Sequence, residues 1–313
     1  MRRVAKAALD AFLARWARLP DTSRGALWIL LSASAVSSQG ALVKYLGGSL
    51  DSFEIVFLRC LFGLVLVAPF AAPHGLGVFL TGRPALHVLR SLAGMASMTC
   101  GFYAITRLPL ADVTALAFTA PLFMIPLAVV VLGEQVRWRR WTAALAGFGG
   151  VLIMARPSGS LHPAVLVALL GALFSASVYV LIKQMAATER AITMVVYFCL
   201  IGSAVSAVPA ALVWRTPGPI EVVALFGIAA LGAIAQVFSI RGWRTGEATA
   251  LAPFEYSRLL FAGTFGYLFF TEVPDAFTVL GAGVIVASTL YIARREAREA
   301  AGAEREPLAP GQV

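Results

Sequence analysis

Long apolar runs separated by short charged segments constrain this chain more than any other feature. A helix that spans a bilayer needs roughly 20 apolar residues. The runs between helix breakers predict ten such helices, at residues 25–46, 53–72, 84–106, 110–132, 139–156, 163–184, 192–213, 220–240, 248–270 and 276–294. The composition agrees, since 59% of the residues are hydrophobic and only 13% are charged, against about 45–50% and 25% in soluble domains. The sequence therefore predicts an all-α membrane protein with ten transmembrane helices.

The same composition excludes three other classes of protein. The charges are too few to coat soluble domains, and a mean hydropathy of +0.84 is far from the low hydrophobicity of disordered chains. The cysteines Cys60, Cys100 and Cys199 are odd in number and lie inside apolar runs, which excludes a disulfide framework.

The basic residues are distributed unevenly between the two predicted sides of the membrane. Seventeen Lys and Arg fall on the side of the N-terminus, and three, Arg107, Arg156 and Arg215, fall on the other. The positive-inside rule then predicts a multi-pass protein of the inner or plasma membrane with both termini in the cytoplasm. The formal charge of +9 is accordingly interpreted as a topology signal, and no nucleic-acid partner is expected.

The two terminal segments differ from the apolar body of the chain. Within residues 1–24, Val4, Ala8, Phe12 and Trp16 recur every four positions among basic residues. This pattern is typical of a cytoplasmic amphipathic helix on an anionic membrane face, and it also fits a solvated helical tail. The segment lacks the uninterrupted apolar stretch of a signal peptide. The polar residues 295–313 are predicted to form a disordered cytoplasmic tail.

The two halves of the apolar body resemble each other. Rare polar residues recur at nearly constant offsets: Lys44 and Lys183 or Cys60 and Cys199 at 139 residues, Glu134 and Glu272 or Arg156 and Arg294 at 138, and Tyr103 and Phe238 or Asp112 and Glu247 at 135. We expect a first repeat at 25–156, a linker at 157–162 and a second repeat at 163–294. Since each repeat has five spans, the second copy must insert upside down, as in the inverted repeats of secondary transporters.

Two stretches carry a resemblance to a known family. They are LPLADVTALAFTAPLFMIPLAVVVLGEQVRWRRWTAALAGFGGVLIMARP at 108–157 and a weaker copy, GEATALAPFEYSRLLFAGTFGYLFFTEVPDAFTVLGAGVIVAS, at 246–288. Each has an Ala-rich helix start, a closing acidic residue and a Gly-rich final helix. Over about residues 25–294 the chain resembles the drug/metabolite transporter superfamily, specifically its ten-helix EamA-type members. The second copy departs from the pattern at Leu259 and Thr271, which stand where the first has Pro121 and Gly133.

The resemblance implies an α-helical carrier that hydrolyses no ATP. Spans 1–4 and 6–9 would surround a cavity, and spans 5 and 10 would be peripheral or form the contact of a possible homodimer. The run at 252–272 is similar to that of metabolite importers such as riboflavin or S-adenosylmethionine carriers.

Charged residues within the predicted spans are candidates for a substrate site, because charges in a bilayer usually face a cavity or a partner. Arg258 lies about ten residues into span nine, with Glu255 on the same helix face and Tyr256 beside it, while Arg59 and Arg90 lie in spans two and three. An arginine could bind a substrate carboxylate or phosphate in bidentate fashion. Alternatively, Glu255 and Arg258 neutralise each other, and Arg59 pairs with Glu54 or extends outward. For Lys44 and Lys183, near span ends, the favoured interpretation is a stem reaching the interface.

Neutral polar and aromatic residues extend the candidate site. Ser38 and Gln39 lie mid-span in the first helix, and Thr119 lies in the fourth beside Pro121, which predicts a bend. The aromatic candidates for stacking on a substrate ring are Phe118, Tyr103, Tyr179 and Tyr197. Ordinary core packing is the alternative for each of them.

Proton coupling requires a carboxylate whose ionisation responds to burial and to partners. Glu255 is the first candidate and Asp112 the second, although Asp112 at a span start could instead cap its helix. Glu134 and Glu272 close apolar runs and resemble structural or gate residues.

The sequence predicts no enzyme, cofactor or metal site. It has no GxxxxGK[ST] loop, its histidines His74, His87 and His162 lack metal-ligand spacing, and no GxSxG elbow occurs. The leading hypothesis is a secondary transporter that moves a small organic metabolite, anionic or zwitterionic, by alternating access, with a proton or counter-substrate as partner. The alternatives are an exporter of amphipathic compounds, a membrane-embedded transferase, and a sensor or scaffold subunit.

Overall fold

The computed structural model describes residues 21–132, 138–155, 162–185, 188–245 and 254–303. Within these ranges the regular structure is helical. The helices are α1 Asp21–Leu46, α2 Ser52–Ala71, a 3₁₀ segment Ala72–Phe79, α3 Pro84–Ile105, α4 Leu110–Ala117, α5 Ala120–Leu132, α6 Trp138–Ala155, α7 Pro163–Met185, α8 Ala191–Leu212, α9 Pro219–Thr245, α10 Ser257–Phe270 and α11 Ala276–Ala303. The predicted all-α class is confirmed.

In the described part of the chain, seven helical segments are both long enough and apolar enough to cross a membrane. They coincide with predicted spans one to four and six to eight. Spans five and ten contain the shorter apolar helices Ala144–Ile153 and Ala276–Ser288, and the described part of span nine contains α10. The chain is therefore a multi-pass membrane protein. The count of ten spans and their inverted arrangement stay predictions.

The chain ends differ in part from the predicted boundaries. The last helix continues to Ala303, so residues 295–303 are helical and the prediction of a disordered tail from residue 295 is wrong there. The reason is local, since REAREAAGA is rich in strong helix formers. The N-terminal residues 1–20, most of the linker and residues 304–313 lie outside the described ranges.

The fourth span is broken at Phe118 and Thr119, between α4 and α5. Pro121 follows the break, and its ring nitrogen cannot donate the hydrogen bond that the carbonyl of Ala117 would accept in a continuous helix. The backbone N–H groups of Phe118 and Thr119 turn back to Ala115 and Leu116 at 3.1 and 3.0 Å. The predicted bend is thus a two-residue turn between α4 and α5, within the single candidate span Leu110–Val131.

Helices from the two halves of the chain pack against each other: α1 on α9, α3 on α7, α2 on α8, and α6 on α11. Small residues allow the close approach, as is usual between membrane helices. A Cβ on Gly63 of α2 would lie 3.2 Å from Cys199 Sγ of α8, and one on Gly202 of α8 would lie 2.9 Å from Cys60 Sγ of α2. The two cysteine–glycine contacts are reciprocal.

Candidate functional site

A cavity of 460 Å³ lies where helices of both halves meet. We call it the central cavity. Its walls come from α1, α2, α3, α7, α8 and α9, and its polar and aromatic lining comprises Gln39, Arg59, Arg90, Ser97, Ser175, Tyr179, Phe198 and Gln236. Of the sequence candidates, Gln39, Arg59, Arg90 and Tyr179 meet here.

Two guanidinium groups flank one phenylalanine ring in this cavity. The Cζ atoms of Arg59 and Arg90 lie 5.7 and 5.2 Å from the ring centroid of Phe198, within the range of cation–π attraction. Arg90 also donates a hydrogen bond to the carbonyl of Met194 at 3.2 Å. Within the described residues neither arginine forms an ion pair, and the Nε atom of each is buried without a partner. The alternative in which Arg59 pairs with Glu54 is not observed, since Glu54 accepts a hydrogen bond from the backbone N–H of Arg215 at 3.4 Å.

Two glycines make room for these side chains. A Cβ on Gly94 would lie 2.8 Å from a ring carbon of Phe198, and one on Gly232 would lie 3.2 Å from the guanidinium of Arg59. Two other polar side chains of the lining donate to the backbone: Gln39 to the carbonyl of Ile228 at 2.7 Å, and Ser97 to the carbonyl of Gly171 at 3.0 Å. These hydrogen bonds fix the positions of the Gln39 and Ser97 side chains in the cavity wall.

A second pocket, of 350 Å³, opens beside the break between α4 and α5. We call it the side pocket. Its lining includes Phe118, Glu255, Tyr256 and Arg258, and it shares Tyr179 with the central cavity. The rings of Phe118 and Tyr256 lie 4.9 Å apart, and the Cζ of Arg258 lies 5.9 Å from the centroid of Phe118.

Glu255 and Arg258 are close in the chain but are not joined by an ion pair, and within the described ranges neither forms one elsewhere. Arg258 is oriented through its backbone, whose carbonyl accepts a hydrogen bond from the Ser37 hydroxyl at 3.2 Å. The predicted arginines are therefore divided between two adjoining spaces. Arg59 and Arg90 line the central cavity, and Arg258 lines the side pocket.

Several sequence candidates lie outside both spaces, and one of them, Ser38, lines a separate apolar pocket of 530 Å³ with Tyr45 and Phe265. The Ser38 hydroxyl donates to the carbonyl of Ser34, the buried Thr119 hydroxyl donates to that of Leu116, and the Tyr103 ring stacks under Arg107 at 3.6 Å. Asp112 lies in the first turn of α4, where a carboxylate complements the helix dipole. Tyr197 stacks on His87 and donates to the carbonyl of Phe79.

An ion pair between Lys44 and Glu272 joins the C-terminal ends of α1 and α10. Lys44 also donates to the carbonyl of Leu108 at 2.6 Å, and Glu272 accepts from the N–H of Leu110 at 2.9 Å. The interpretation of Lys44 as a stem reaching the interface is wrong, because its charge is satisfied inside the protein. The recurrence of Lys44 and Glu272 in both repeats was the sequence signal for this pair. The counterparts of these two residues in the other repeat are Lys183 and Glu134. The side chain of Lys183 and the whole of Glu134 lie outside the described part of the chain.

A second polar cluster lies at the opposite end of the molecule. The Nε2 atom of the fully buried His87 is 3.0 Å from a carboxylate oxygen of Glu189, and the Thr81 hydroxyl donates to the other oxygen at 2.9 Å. The hydrogen bond with His87 is the main reason that the pKa of Glu189 lies below its usual value. No group of three metal-ligating side chains occurs among the described residues.

Comparisons with known proteins place this arrangement among transporters. A model described as the EamA-like transporter family matches residues 23–156 and 162–294. An S-adenosylmethionine uptake transporter of Rickettsia prowazekii is 34% identical over 86% of this chain and 92% of its own length. A pseudopaline exporter of Pseudomonas aeruginosa is 32% identical over 86% and 96%, and a riboflavin transporter of Rhizobium johnstonii is 29% identical over 90% and 94%. A crystal structure that is 22% identical aligns with a TM-score of 0.59 over 89% of this chain and 98% of its own.

Proposed function

Because this chain belongs to the EamA-like transporter family, within the drug/metabolite transporter superfamily, we propose that it moves its substrate by alternating access as a secondary active transporter. That it is a small-metabolite transporter and not an enzyme follows from the family and the named relatives. The proposal adds the mechanism, the site and the charge of the substrate. The observation that carries it is the pair of guanidinium groups at Phe198 in the central cavity, which have no ion-pair partner among the described residues.

The packing of the helices supports a pair of inverted repeats. If spans one to five exchange with spans six to ten, the contact of α1 with α9 becomes that of α7 with α3, and both contacts occur. The exchange leaves two other contacts unchanged, because α2 and α8 are corresponding helices of the two repeats, as are α6 and α11. The reciprocal cysteine–glycine contacts obey the same exchange, because Cys60 and Cys199 are 139 residues apart, as are Gly63 and Gly202.

The same offset relates Arg59 to Phe198. Phe198 is therefore the residue in the second repeat that corresponds to Arg59, and the guanidinium of Arg59 lies over its ring. Two equivalent positions that meet in this way lie near the symmetry axis that would relate the two repeats. Secondary transporters with inverted repeats bind their substrates at this place, near the midplane between the repeats. This coincidence supports the central cavity as the proposed substrate site.

The positions of the cavity and the ion pair support an inward-open conformation. Cavity residues such as Val67, Arg90 and Ile182 lie toward the helix ends predicted to face the cytoplasm. The Lys44–Glu272 pair joins the two repeats at the other side. In the proposed cycle, breaking this pair opens the outer side.

Substrate charge follows from the lining. Two guanidinium groups without acidic partners favour an anionic or zwitterionic substrate, because arginine binds carboxylates with paired, charge-assisted hydrogen bonds. A proton or a counter-substrate would supply the driving force, with Glu255 and Asp112 as the carboxylates to test. We place the protein in the inner or plasma membrane with both termini in the cytoplasm. The paired helices α6 and α11 are the proposed contact of a homodimer.

Counterflow in proteoliposomes tests the proposal. Vesicles loaded with S-adenosylmethionine, riboflavin or an amino-acid-derived anion should accumulate the labelled form of the true substrate without chemical change. Arg59→Gln and Arg90→Gln should each reduce the initial rate at least tenfold. Arg107→Gln is the matched control, since that arginine also stacks on an aromatic ring but lies at an exposed chain turn outside both pockets. Wild-type rates in both cavity variants would refute the assignment of the site.

The direction of transport has two candidates. The uptake transporters of Rickettsia favour import, and the exporter of Pseudomonas aeruginosa favours export. Uptake and efflux measured in intact cells that express the protein would separate the two.

A further inference from the structure

The charges of the two adjoining pockets identify a more specific substrate class. We propose that this protein carries an amino-acid-derived compound with at least two carboxylates and one ammonium group. The inference rests on the proposed function of the central cavity. It adds the side pocket as a second subsite and states what each subsite binds.

The three arginines supply the anion-binding capacity. A guanidinium remains charged at any physiological pH, and an isolated charge at bilayer depth costs several kcal/mol. Arg59, Arg90 and Arg258 nevertheless lack any carboxylate partner among the described residues. Each is in contact with an aromatic ring, and each has a buried Nε atom without an acceptor. Among the described residues these three Nε atoms have no acceptor, and a substrate carboxylate would supply one.

Glu255 supplies the complementary cation site. Its carboxylate lines the side pocket and forms no ion pair within the described ranges. Ala117, whose carbonyl has no helical donor because of Pro121, lines the same pocket. It belongs to the C-terminal end of α4, which carries the negative end of the helix dipole. A carboxylate, a helix end and the ring of Tyr256 together favour an ammonium group, while Arg258, over the ring of Phe118, is the anion-binding group of the same pocket.

The two subsites adjoin at one residue, Tyr179, past which a single ligand would reach from one to the other. Tyr179 of α7 lines both the 460 Å³ central cavity and the 350 Å³ side pocket, and its side chain is half exposed between them. The combined site holds three guanidinium groups and one carboxylate. A net cation such as S-adenosylmethionine matches this balance poorly, whereas a compound with more carboxylates than ammonium groups matches it well.

Matched probes test each charge separately. The reference probe is N-(1-carboxyethyl)-methionine, which has two carboxylates and one secondary ammonium. Its monomethyl ester removes one carboxylate, and its ether analogue replaces the nitrogen by oxygen. Affinity is measured by isothermal titration calorimetry on the purified full-length protein. We expect wild type to bind the diacid at least tenfold more tightly than the ester or S-adenosylmethionine, and at least fivefold more tightly than the ether.

Each variant should remove one preference only. In Arg59→Gln the preference for the diacid over the ester should fall below threefold, and Arg59→Lys should recover part of it. In Glu255→Gln the preference for the amine over the ether should disappear, while the preference for the diacid over the ester persists. Arg107→Gln should retain both preferences. The thermal midpoint of each variant establishes that it is folded.

The possible failures are distinguishable. Transport of S-adenosylmethionine or riboflavin by wild type, without preference for the diacid, would overturn this inference and leave the proposed function standing. Equal binding of diacid and ester by wild type would do the same, as would equal losses in Arg59→Gln and Arg107→Gln. Absence of counterflow with every probe would overturn the proposed function, and this inference with it.

Discussion

The ion pair between Lys44 and Glu272 should stabilise the folded protein by an amount that a double-mutant cycle can measure. The two side chains are only 15% and 16% exposed. Removing one partner of a fully buried pair costs about 3–5 kcal/mol, whereas an exposed pair contributes about 0–1 kcal/mol. Here the remaining partner would keep one backbone hydrogen bond, either Lys44 to Leu108 or Glu272 from Leu110. We therefore expect an intermediate loss of about 2 kcal/mol for Lys44→Met or Glu272→Gln.

The coupling between the two residues is the decisive quantity. The free energy of unfolding would be measured in mixed detergent micelles for wild type, Lys44→Met, Glu272→Gln and the double variant. Since the double variant leaves no unpaired charge, its loss should be smaller than the sum of the single losses by about 1.5–2 kcal/mol.

A non-contacting pair provides the control for this cycle. Lys44→Met combined with Glu189→Gln joins residues at opposite ends of the molecule, and these losses should add to within about 0.3–0.5 kcal/mol. A coupling between Lys44 and Glu272 no larger than that of the control would refute the argument that the pair links the repeats.

Three further predictions concern other parts of the molecule. Arg258→Ala should abolish transport while the amount of protein in the membrane stays normal, and unchanged counterflow in proteoliposomes would contradict its place in the site. Gly150→Ala should destabilise the protein by about 1–3 kcal/mol, because its Cβ would lie 2.8 Å from the carbonyl oxygen of Gly281. Gly149→Ala, with nothing within 4 Å, should be nearly neutral, and equal thermal midpoints for the two variants would argue against tight packing of α6 on α11. The pKa of Glu189 is lowered in the folded state, so its hydrogen bonds stabilise the protein fully above the ordinary glutamate pKa of about 4.3. This stabilisation is lost as the pH falls through the lower pKa of the folded state. Glu189→Gln should therefore flatten that part of the stability–pH profile, and an unchanged profile would contradict the assignment.

Local chemistry explains which features were predictable. A run of about 20 apolar residues is helical in a bilayer because each backbone polar group must be satisfied within the segment, so the spans follow from the sequence without reference to their neighbours. The break near Pro121 is predictable for the same reason, since the missing N–H is a property of that residue. The repeat offsets noted Lys44 and Glu272 separately, each with a counterpart in the other repeat, but did not predict that the two would pair.

Partner choice was not predictable, because it depends on how distant helices meet. The spacing of Glu255 and Arg258 permits a pair on one helix face, yet the two side chains remain unpaired in the structure. Lys44 had a plausible route to the interface and instead pairs with a residue of the other repeat. Ser38 and Thr119 satisfy their hydroxyls on their own helices, as serine and threonine often do in helices, and Ser38 lines a pocket separate from the two proposed subsites.

The sequence by itself determined that this chain is a helical membrane transporter with duplicated halves, because hydropathy, charge asymmetry and repeat offsets are properties of the chain alone. The tertiary structure decided which charges are satisfied and which remain available. Arg59 and Arg90 meet at Phe198 only because α2, α3 and α8 converge there, and Arg258 is separated from them by Tyr179. Whether an arginine has an acidic partner depends on the residues that neighbouring helices bring close to it, and only the packing of the helices decides which residues those are.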